Sequence, residues 1–356
     1  MTPQALSPLQ SRPRRALRWA GLVVFTLVLL AAGGWTSLAL WFQLPVPAWL
    51  RTVAIVAWGL LTLWVARTAW RRQGAAAACT TYAVALVALL AWWATIAPQQ
   101  QRAWADDVSQ LLDARVEGSR VTLDNVRDFD WRGEADYTPR WVQREVDLNA
   151  LRSVDMALSY WMGPAIAHTL VSFGFADGRF LTFSLEIRKE RGEQFSALGG
   201  FVKQFEATLV AAEERDILGV RARARGEDVY LYRVAMSPAA MRSLFLAYVD
   251  TAQQLRRAPR FYHTLTGNCT TVVFDMARRI APGLPLDARL LASGYLPGYL
   301  HALGVLAPGM ALADLQAASR ITERARQAPT ATPQAFSQAI RVGLPELKAA
   351  KKEARP

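Results

Sequence analysis

A run of 32 consecutive residues without a charge, from Trp19 to Leu50, constrains the fold of this chain more than any other feature. A helix of about 20 apolar residues is enough to cross the hydrocarbon core of a bilayer. Two more apolar runs follow, and the sequence therefore predicts three spans at about residues 19–42, 52–70 and 79–97. The first run exceeds the apolar core of a cleaved signal peptide, so we favour a membrane anchor, residues 1–98, over a signal peptide.

The charges beside these runs predict the orientation of the anchor. Short cytoplasmic loops of membrane proteins are enriched in lysine and arginine. The N-terminus and the loop after the second run carry seven arginines, whereas the first loop carries only Arg51. We therefore expect a multi-pass protein of the bacterial inner membrane, with a cytoplasmic N-terminus and everything after Ala97 in the periplasm. The seven residues are Arg12, Arg14, Arg15, Arg18, Arg67, Arg71 and Arg72.

The net charge of +12, from 41 basic and 29 acidic residues, raises the question of a nucleic-acid partner. No zinc-finger spacing or aromatic RNA-binding motif accompanies that charge, and much of it flanks the apolar runs or lies in the tail. We expect membrane lipid as a partner and no nucleic acid. The basic residues of the tail are Lys348, Lys351, Lys352 and Arg355.

Residues 99–320 read as an α+β periplasmic domain with mostly antiparallel strands. Two alternating runs, His168–Phe175 and Phe180–Arg188, flank an Asp-Gly pair and predict a hairpin. Further on the pattern takes a helical period, with helices expected from Pro238 and from Cys269. Residues 321–356 are predicted to form a mostly flexible tail, in which a short segment could dock through Phe336, Ile340, Val342 and Leu344.

Cys269 is the leading candidate for a catalytic residue. It lies where a loop turns into a helix, which Thr266 or Asn268 could cap. A helix N-terminus favours negative charge and so lowers the pKa of a thiol there. The alternative is a small buried residue with no chemical role. The other cysteine, Cys79, is expected on the opposite side of the membrane, so no disulfide is expected.

A histidine is the natural proton acceptor for such a thiol, and the chain has three. His168 opens a strand and is the leading candidate. His263 lies six residues before Cys269 and competes with it, whereas His301 lies in a helix-like segment and is the weakest candidate.

The strand after the Asp-Gly pair has one polar face, formed by Thr182, Ser184, Glu186 and Arg188. Glu186 could orient His168, and Arg188 could hold an anionic group. A two-residue loop would pair His168 with Ile187, whereas a shift of one residue would bring Glu186 or Arg188 opposite His168. The sequence leaves both registers open. No zinc spacing, phosphate-binding glycine loop or serine-nucleophile elbow is present, so we expect neither metal nor cofactor.

Several short motifs together resemble the Lnb-type N-terminal periplasmic domain family, over roughly Arg120 to Pro282. That family was long catalogued as a domain of unknown function. The motifs lie at Asn125–Phe129, Ser159–Trp161, Ala167–Phe175, Ser184–Arg188, Glu214–Asp216, Val229–Tyr232 and Phe261–Thr271.

The resemblance implies a papain-like cysteine fold in permuted order, with the histidine strand before the cysteine helix. It also implies a lipoprotein N-acyltransferase activity, with Cys269 as nucleophile and His168 as base. In the founding member the membrane helices follow the catalytic domain, whereas here they precede it. The substrate therefore does not carry over from the resemblance.

Three hypotheses follow. The leading one is a membrane-anchored cysteine acyltransferase that forms a thioester at Cys269, with a phospholipid acyl donor and a lipoprotein or peptide acceptor. The second is a papain-like hydrolase, a peptidase or amidase of the cell envelope. The third is a non-catalytic envelope binding or assembly protein. The donor, the acceptor and the oligomeric state are open.

Overall fold

The computed structural model describes the backbone of residues 11–347 and the side chains of residues 15–347. The side chains of Arg12 and Arg14 and the basic residues of the tail, discussed above, lie outside these ranges. The chain divides into two compact units. The first comprises residues up to Pro98 together with Ser196–Gln204, and the second comprises Gln99–Phe195 and the residues from Phe205 onward.

The first unit confirms the three predicted apolar helices. They are α1 (Ser11–Gln43), α2 (Ala48–Arg71) and α3 (Ala75–Thr95). Each contains a stretch that is long and apolar enough to cross a membrane, 29, 24 and 21 residues in turn.

Aromatic and polar contacts hold the first unit together. The rings of Trp58 and Tyr82 lie 5.0 Å apart between α2 and α3. The ammonium group of Lys203 donates to the carbonyl oxygens of Trp93 at 2.9 Å and Ile96 at 3.0 Å. The last carbonyls of a helix lack partners within it and carry partial negative charge, so a lysine there stabilises the end of α3.

The second unit is an α+β domain, as predicted, and its described residues contain ten strands. They are β1 (Asp113–Glu117), β2 (Arg120–Arg127), β3 (Asp130–Trp131), β4 (Tyr137–Thr138), β5 (Trp141–Asp147), β6 (Leu151–Met162), β7 (Ile166–Phe175), β8 (Phe180–Arg188), β9 (Glu206–Glu213) and β10 (Asp228–Val234). Eight of them form one sheet in the order β1-β2-β9-β8-β7-β6-β10, with β5 paired to β2. β3 and β4 pair separately.

This sheet is mixed, which corrects the expectation of an antiparallel sheet. Arg127 of β2 pairs in parallel with Ala212 of β9. The other pairings among the described strands are antiparallel. Parallel neighbours need a long connection, and β2 and β9 are separated by six intervening strands of the chain.

The predicted hairpin between β7 and β8 is present, but its loop has three residues, Ala176–Gly178. The backbone N–H of Phe175 donates to the carbonyl oxygen of Arg179 at 2.9 Å and closes the loop around them. Gly178 has a φ of 79°, the left-handed conformation that the last position of a three-residue loop requires and that glycine adopts without strain.

The third loop residue decides the register that the sequence left open. Leu170 pairs with Ser184 in this hairpin. Two residues further from the loop, the same register brings Glu186, and not Ile187, opposite His168. A shift of one residue turns every side chain of a strand to the other face, so this loop length places Ser184 and Glu186 on the side of His168.

Helices cover both faces of the sheet. On one face, Phe173 and Phe183 pack in a buried cluster with Phe245 of α5 (Pro238–Arg257). This cluster also contains the start of α6 (Cys269–Ile280). On the other face, Leu170 packs with residues of α4 (Glu214–Arg223). Alternate residues of a strand point to opposite faces, so a sheet covered on both sides buries nearly every side chain of its central strands.

The segment after residue 320 differs from the predicted flexible tail as far as it is described. It contains α9 (Thr322–Gln327) and α10 (Pro333–Ala339), which follow α7 (Leu296–Ala302) and α8 (Leu312–Ser319). Phe336 and Ile340 are fully buried in the cluster around α4, whereas Val342 is exposed. Two apolar side chains buried in this way contribute a few kcal/mol, enough to order a short segment.

Candidate active site

Cys269 is the first residue of α6, and the residue before it holds the helix start in place. The side-chain oxygen of Asn268 accepts hydrogen bonds from the backbone N–H groups of Thr270 and Thr271, both at 2.9 Å. The Thr271 hydroxyl oxygen in turn accepts from the backbone N–H of Asn268 at 3.1 Å, which completes a capping box. Asn268, and not Thr266, therefore caps the helix. The Cys269 side chain lies at its positive end and is 7% exposed.

His168 lies on β7 within a chain of polar groups. Its Nε2 is 2.6 Å from the Ser184 hydroxyl oxygen and 3.2 Å from a carboxylate oxygen of Glu186. The Ser184 hydroxyl donates to the same carboxylate oxygen at 2.8 Å. Because Nε2 is occupied in this way, Nδ1 is the ring nitrogen that remains for the thiol. Hydrogen bonding at one nitrogen orients an imidazole and selects its tautomer.

Cys269 and His168 form a side-chain hydrogen bond and shift each other's proton affinity. Burial alone would lower the pKa of His168, but the charges of Glu186 and of a Cys269 thiolate outweigh it and raise that pKa to about 9. Burial alone would raise the pKa of the thiol. The His168 charge, its hydrogen bond and the backbone N–H of Thr169 together lower that pKa. Both shifts favour a thiolate–imidazolium pair.

Glu186 in turn is held by Arg221 of α4, which donates to its carboxylate at 2.9 Å. Burial would raise the pKa of Glu186, but the positive charges of His168 and Arg221 lower it well below its usual range. Sequence reasoning did not single out Arg221, since no motif marks it. The one available signal was its place in a short polar helix with several arginines, which fits a solvent-exposed helix equally well.

Arg188 has a different role from the one predicted. Its side chain is 5% exposed and donates to the carbonyl oxygens of Val108 at 3.1 Å and Ser109 at 2.8 Å. Its guanidinium carbon lies 4.4 Å from the centre of the Trp104 ring. These contacts hold the segment before β1 against the sheet, and so Arg188 stabilises the fold and does not face His168.

The two competing histidines make local contacts. Nδ1 of His263 accepts a hydrogen bond from the backbone N–H of Thr266 at 3.2 Å, within its own turn. Nε2 of His301 lies 3.0 Å from the carbonyl oxygen of Met310. The described structure therefore brings His168, Ser184 and Glu186 together with Cys269. It assigns His263 to the loop that leads to Asn268.

Comparison with known families gives one match. Residues 137–294 match the family model of the Lnb N-terminal periplasmic domain, which confirms the resemblance seen in the motifs. No curated protein and no solved structure matches the chain. The match and the three apolar helices fit a membrane-anchored protein with a periplasmic domain.

Proposed function

We propose that this chain, which carries a domain of the Lnb N-terminal periplasmic family, is a cysteine acyltransferase anchored in the bacterial inner membrane. The observation that carries the proposal is the contact between the Cys269 thiol and the imidazole of His168, which Glu186 holds. A nucleophile, a base and a third group that orients the base are what covalent acyl transfer requires. The order of histidine strand before cysteine helix fits a permuted papain-like fold.

In the first half-reaction, the Cys269 sulfur attacks the carbonyl carbon of an ester, for which a phospholipid is the proposed donor. The sulfur attacks as a thiolate, because its proton is already held at Nδ1 of the His168 imidazolium. When the tetrahedral intermediate collapses, the carbon–oxygen bond breaks and His168 returns the proton to the departing alcohol oxygen. The products are a thioester at Cys269 and a lysophospholipid.

In the second half-reaction, an amine attacks the thioester carbonyl carbon, and a lipoprotein or peptide is the proposed acceptor. His168 takes a proton from the amine nitrogen, the carbon–sulfur bond breaks, and the Cys269 thiolate forms again. Glu186 keeps His168 oriented and stabilises its imidazolium form whenever the ring carries the proton, and Arg221 keeps Glu186 ionised. A membrane anchor suits this chemistry, since donor and lipidated acceptor both lie at the bilayer surface.

Trapping the thioester tests this proposal. Full-length protein incubated with phospholipid vesicles and no acceptor should gain the mass of one acyl chain on Cys269, which neutral hydroxylamine removes. Cys269→Ala should carry no adduct, and Cys79→Ser, the matched control, should keep it. His168→Ala should form the adduct about 10²–10⁴ times more slowly, as expected for loss of a general base.

The fate of the acyl chain separates the hypotheses. Transfer to an amine supports the acyltransferase, whereas release as free fatty acid or cleavage of peptides would favour a hydrolase. An adduct that persists in Cys269→Ala, or a Cys269 thiol as slow toward iodoacetamide at pH 7 as a free cysteine, would contradict both enzyme hypotheses.

A further inference from the structure

A cavity of about 710 Å³ lies in the second unit at the end of β6 and the start of β10. Its walls include the aromatic side chains of Tyr160, Trp161, Tyr230 and Tyr295. Ligand sites in proteins commonly enclose about 300–1,000 Å³ and combine aromatic walls with a few polar groups. Trp161 and Tyr295 are 44% and 48% exposed, so the cavity opens to solvent between aromatic rings.

The cavity is joined to the candidate active site through Glu227, which lines it. The Ser159 hydroxyl donates to the Glu227 carboxylate, and Ser159 pairs with His168 between β6 and β7. Nε of Arg221 lies 3.9 Å from the same carboxylate, while its Nη2 holds Glu186. Glu227 therefore links the wall of the cavity to the polar groups that position His168.

Arg225 is the charged group in this cavity with unused hydrogen-bonding capacity. Its guanidinium lies 3.8 Å from a carboxylate oxygen of Asp107 and 3.9 Å from one of Glu227, beyond hydrogen-bond distance. It donates no hydrogen bond to any side chain or carbonyl that the structure describes. Burial and the neighbouring charge of Arg221 lower the pKa of Arg225. The Arg225 side chain is 27% exposed and lines the cavity, so its guanidinium N–H groups are available to an acceptor that enters there.

The two acids that line the cavity are already paired, and Glu227 accepts a hydrogen bond from the Ser159 hydroxyl. Asp228 accepts hydrogen bonds from the Tyr230 hydroxyl at 3.0 Å and from Arg320 at 2.7 Å, and the Thr322 hydroxyl also donates to it. The group left to recognise a ligand is therefore a cation. A guanidinium fork binds phosphate through two parallel hydrogen bonds, which is stronger than a single contact.

We propose that Arg225 binds the phosphodiester of a glycerophospholipid headgroup, and that the aromatic walls contact the rest of that headgroup. The inference rests on the proposed function and names the headgroup site of its acyl donor. The volume of the cavity suits a headgroup, and tyrosine and tryptophan are the side chains preferred where apolar and polar surroundings meet. Bound phosphate would neutralise Arg225 and relieve its repulsion with Arg221.

Isothermal titration of full-length protein in a neutral detergent with soluble glycerophosphoethanolamine tests this site. Wild type and Cys269→Ala should bind the probe equally, since the thiol takes no part. Arg225→Gln should bind at least about tenfold more weakly, and Arg225→Lys should be intermediate, since a lysine lacks the fork. Arg256→Gln, a matched charge removal at an exposed ion pair with Asp113, should bind like wild type.

Other probes identify the source of the phosphate. Inorganic phosphate should bind more weakly than the headgroup, and equal or tighter binding would overturn the headgroup assignment. N-acetylglycine, a carboxylate, should not compete, and competition would also overturn it. If Arg225→Gln fails to fold, Trp161→Ala at the exposed wall should still weaken binding severalfold, and unchanged binding there would contradict the proposal.

The two proposals can fail independently. Binding that depends on Arg225 without any thioester at Cys269 would leave the headgroup site and remove the acyltransferase. A thioester that forms in Arg225→Gln at the wild-type rate, over the whole range of lipid concentration, would remove the headgroup site and leave the acyltransferase.

Discussion

At the scale of single residues, the candidate site is a line of alternating charges. The Cys269 thiol, the His168 ring, the Glu186 carboxylate and the Arg221 guanidinium follow one another, and each favours the ionised form of its neighbour. Groups coupled in this way titrate together, so their behaviour with pH belongs to the whole line. We therefore expect the pH range in which the Cys269 thiol reacts to depend on all four groups.

The pH dependence of thiol alkylation tests this coupling. The pair is ionised above the lowered pKa of Cys269 and below the pKa of His168, which is about 9. Because the pKa of His168 is raised by folding, its stabilising effect is present below pH 6.5, its ordinary value, and is lost as the pH rises through about 9. Iodoacetamide should therefore react with Cys269 well below the pH that an ordinary thiol needs.

Glu186→Gln should shift the pH dependence of Cys269 alkylation to higher pH. Without the carboxylate the pKa of His168 falls, and the imidazolium that stabilises the thiolate is lost at neutral pH. The direct repulsion between Glu186 and the thiolate is also removed, but it is the weaker effect, since His168 dominates the shift of the thiol. Alkylation at pH 7 should slow by about tenfold, whereas Glu323→Gln, at an exposed ion pair, should leave it unchanged. An identical profile in Glu186→Gln would refute the coupling.

Arg221→Met should destabilise the second unit, because it leaves the half-buried Glu186 carboxylate without its arginine partner. Breaking a buried ion pair on one side costs about 3–5 kcal/mol, and thermal unfolding in detergent should show a lower Tm. Replacing both partners, Glu186→Leu with Arg221→Met, should restore much of the stability but not the alkylation at pH 7. Equal Tm values for wild type and Arg221→Met would exclude this role.

At the scale of secondary-structure elements, the start of α6 and the β7–β8 loop bring the site together. The helix start places the thiol where the backbone N–H groups converge, and the loop length places Ser184 and Glu186 beside His168. In the proposed mechanism the β7–β8 loop touches no substrate, and the start of α6 contributes only the Cys269 sulfur. Both act by setting the position of residues that would.

Asn268→Ala tests the helix start. Removing an N-cap costs about 1 kcal/mol, and the first turn of α6 should fray. We expect both a lower Tm and slower alkylation of Cys269. Asn268→Asp keeps an acceptor at the cap, so its Tm should match wild type, although the added negative charge beside the thiol should raise the thiol pKa. Unchanged reactivity in Asn268→Ala would show that the cap does not position Cys269.

At the scale of the whole molecule, the three helices precede the second unit in the chain. We propose that their arginine-rich ends face the cytoplasm and that the second unit lies in the periplasm. With three spans, the N-terminus and the second unit would lie on opposite sides of the membrane. This orientation would place the proposed Cys269 site on the periplasmic side of the membrane.

Reporter cysteines test this orientation. In a background of Cys79→Ser and Cys269→Ala, Glu134→Cys in the exposed β3–β4 region should react with a membrane-impermeant maleimide on intact spheroplasts. Gln73→Cys, in the loop between α2 and α3, should react only after the membrane is permeabilised. The opposite labelling pattern would show that the topology is inverted. Labelling of both positions on intact spheroplasts would show that the loop between α2 and α3 is not cytoplasmic.

Much of the fold could be predicted because its signals are local. The three apolar helices, the β7–β8 hairpin, and the starts of α5 at Pro238 and α6 at Cys269 follow from composition and period over a few residues. The missed parts are those whose signals are weak or distant. The parallel pair Arg127–Ala212 joins segments far apart in the chain. The helix that carries Arg221 looks like an exposed one.

The sequence by itself determined that the chain has three membrane-length helices, an α+β domain, and a cysteine at a helix start with a histidine on an earlier strand. Only the tertiary structure decided that Glu186 faces His168, that Arg221 holds Glu186, and that Arg188 points to the segment before β1. The physical reason is the separation along the chain over which each interaction acts. Caps and periodicity act within one or two turns, whereas register and buried ion pairs depend on which distant segments pack together.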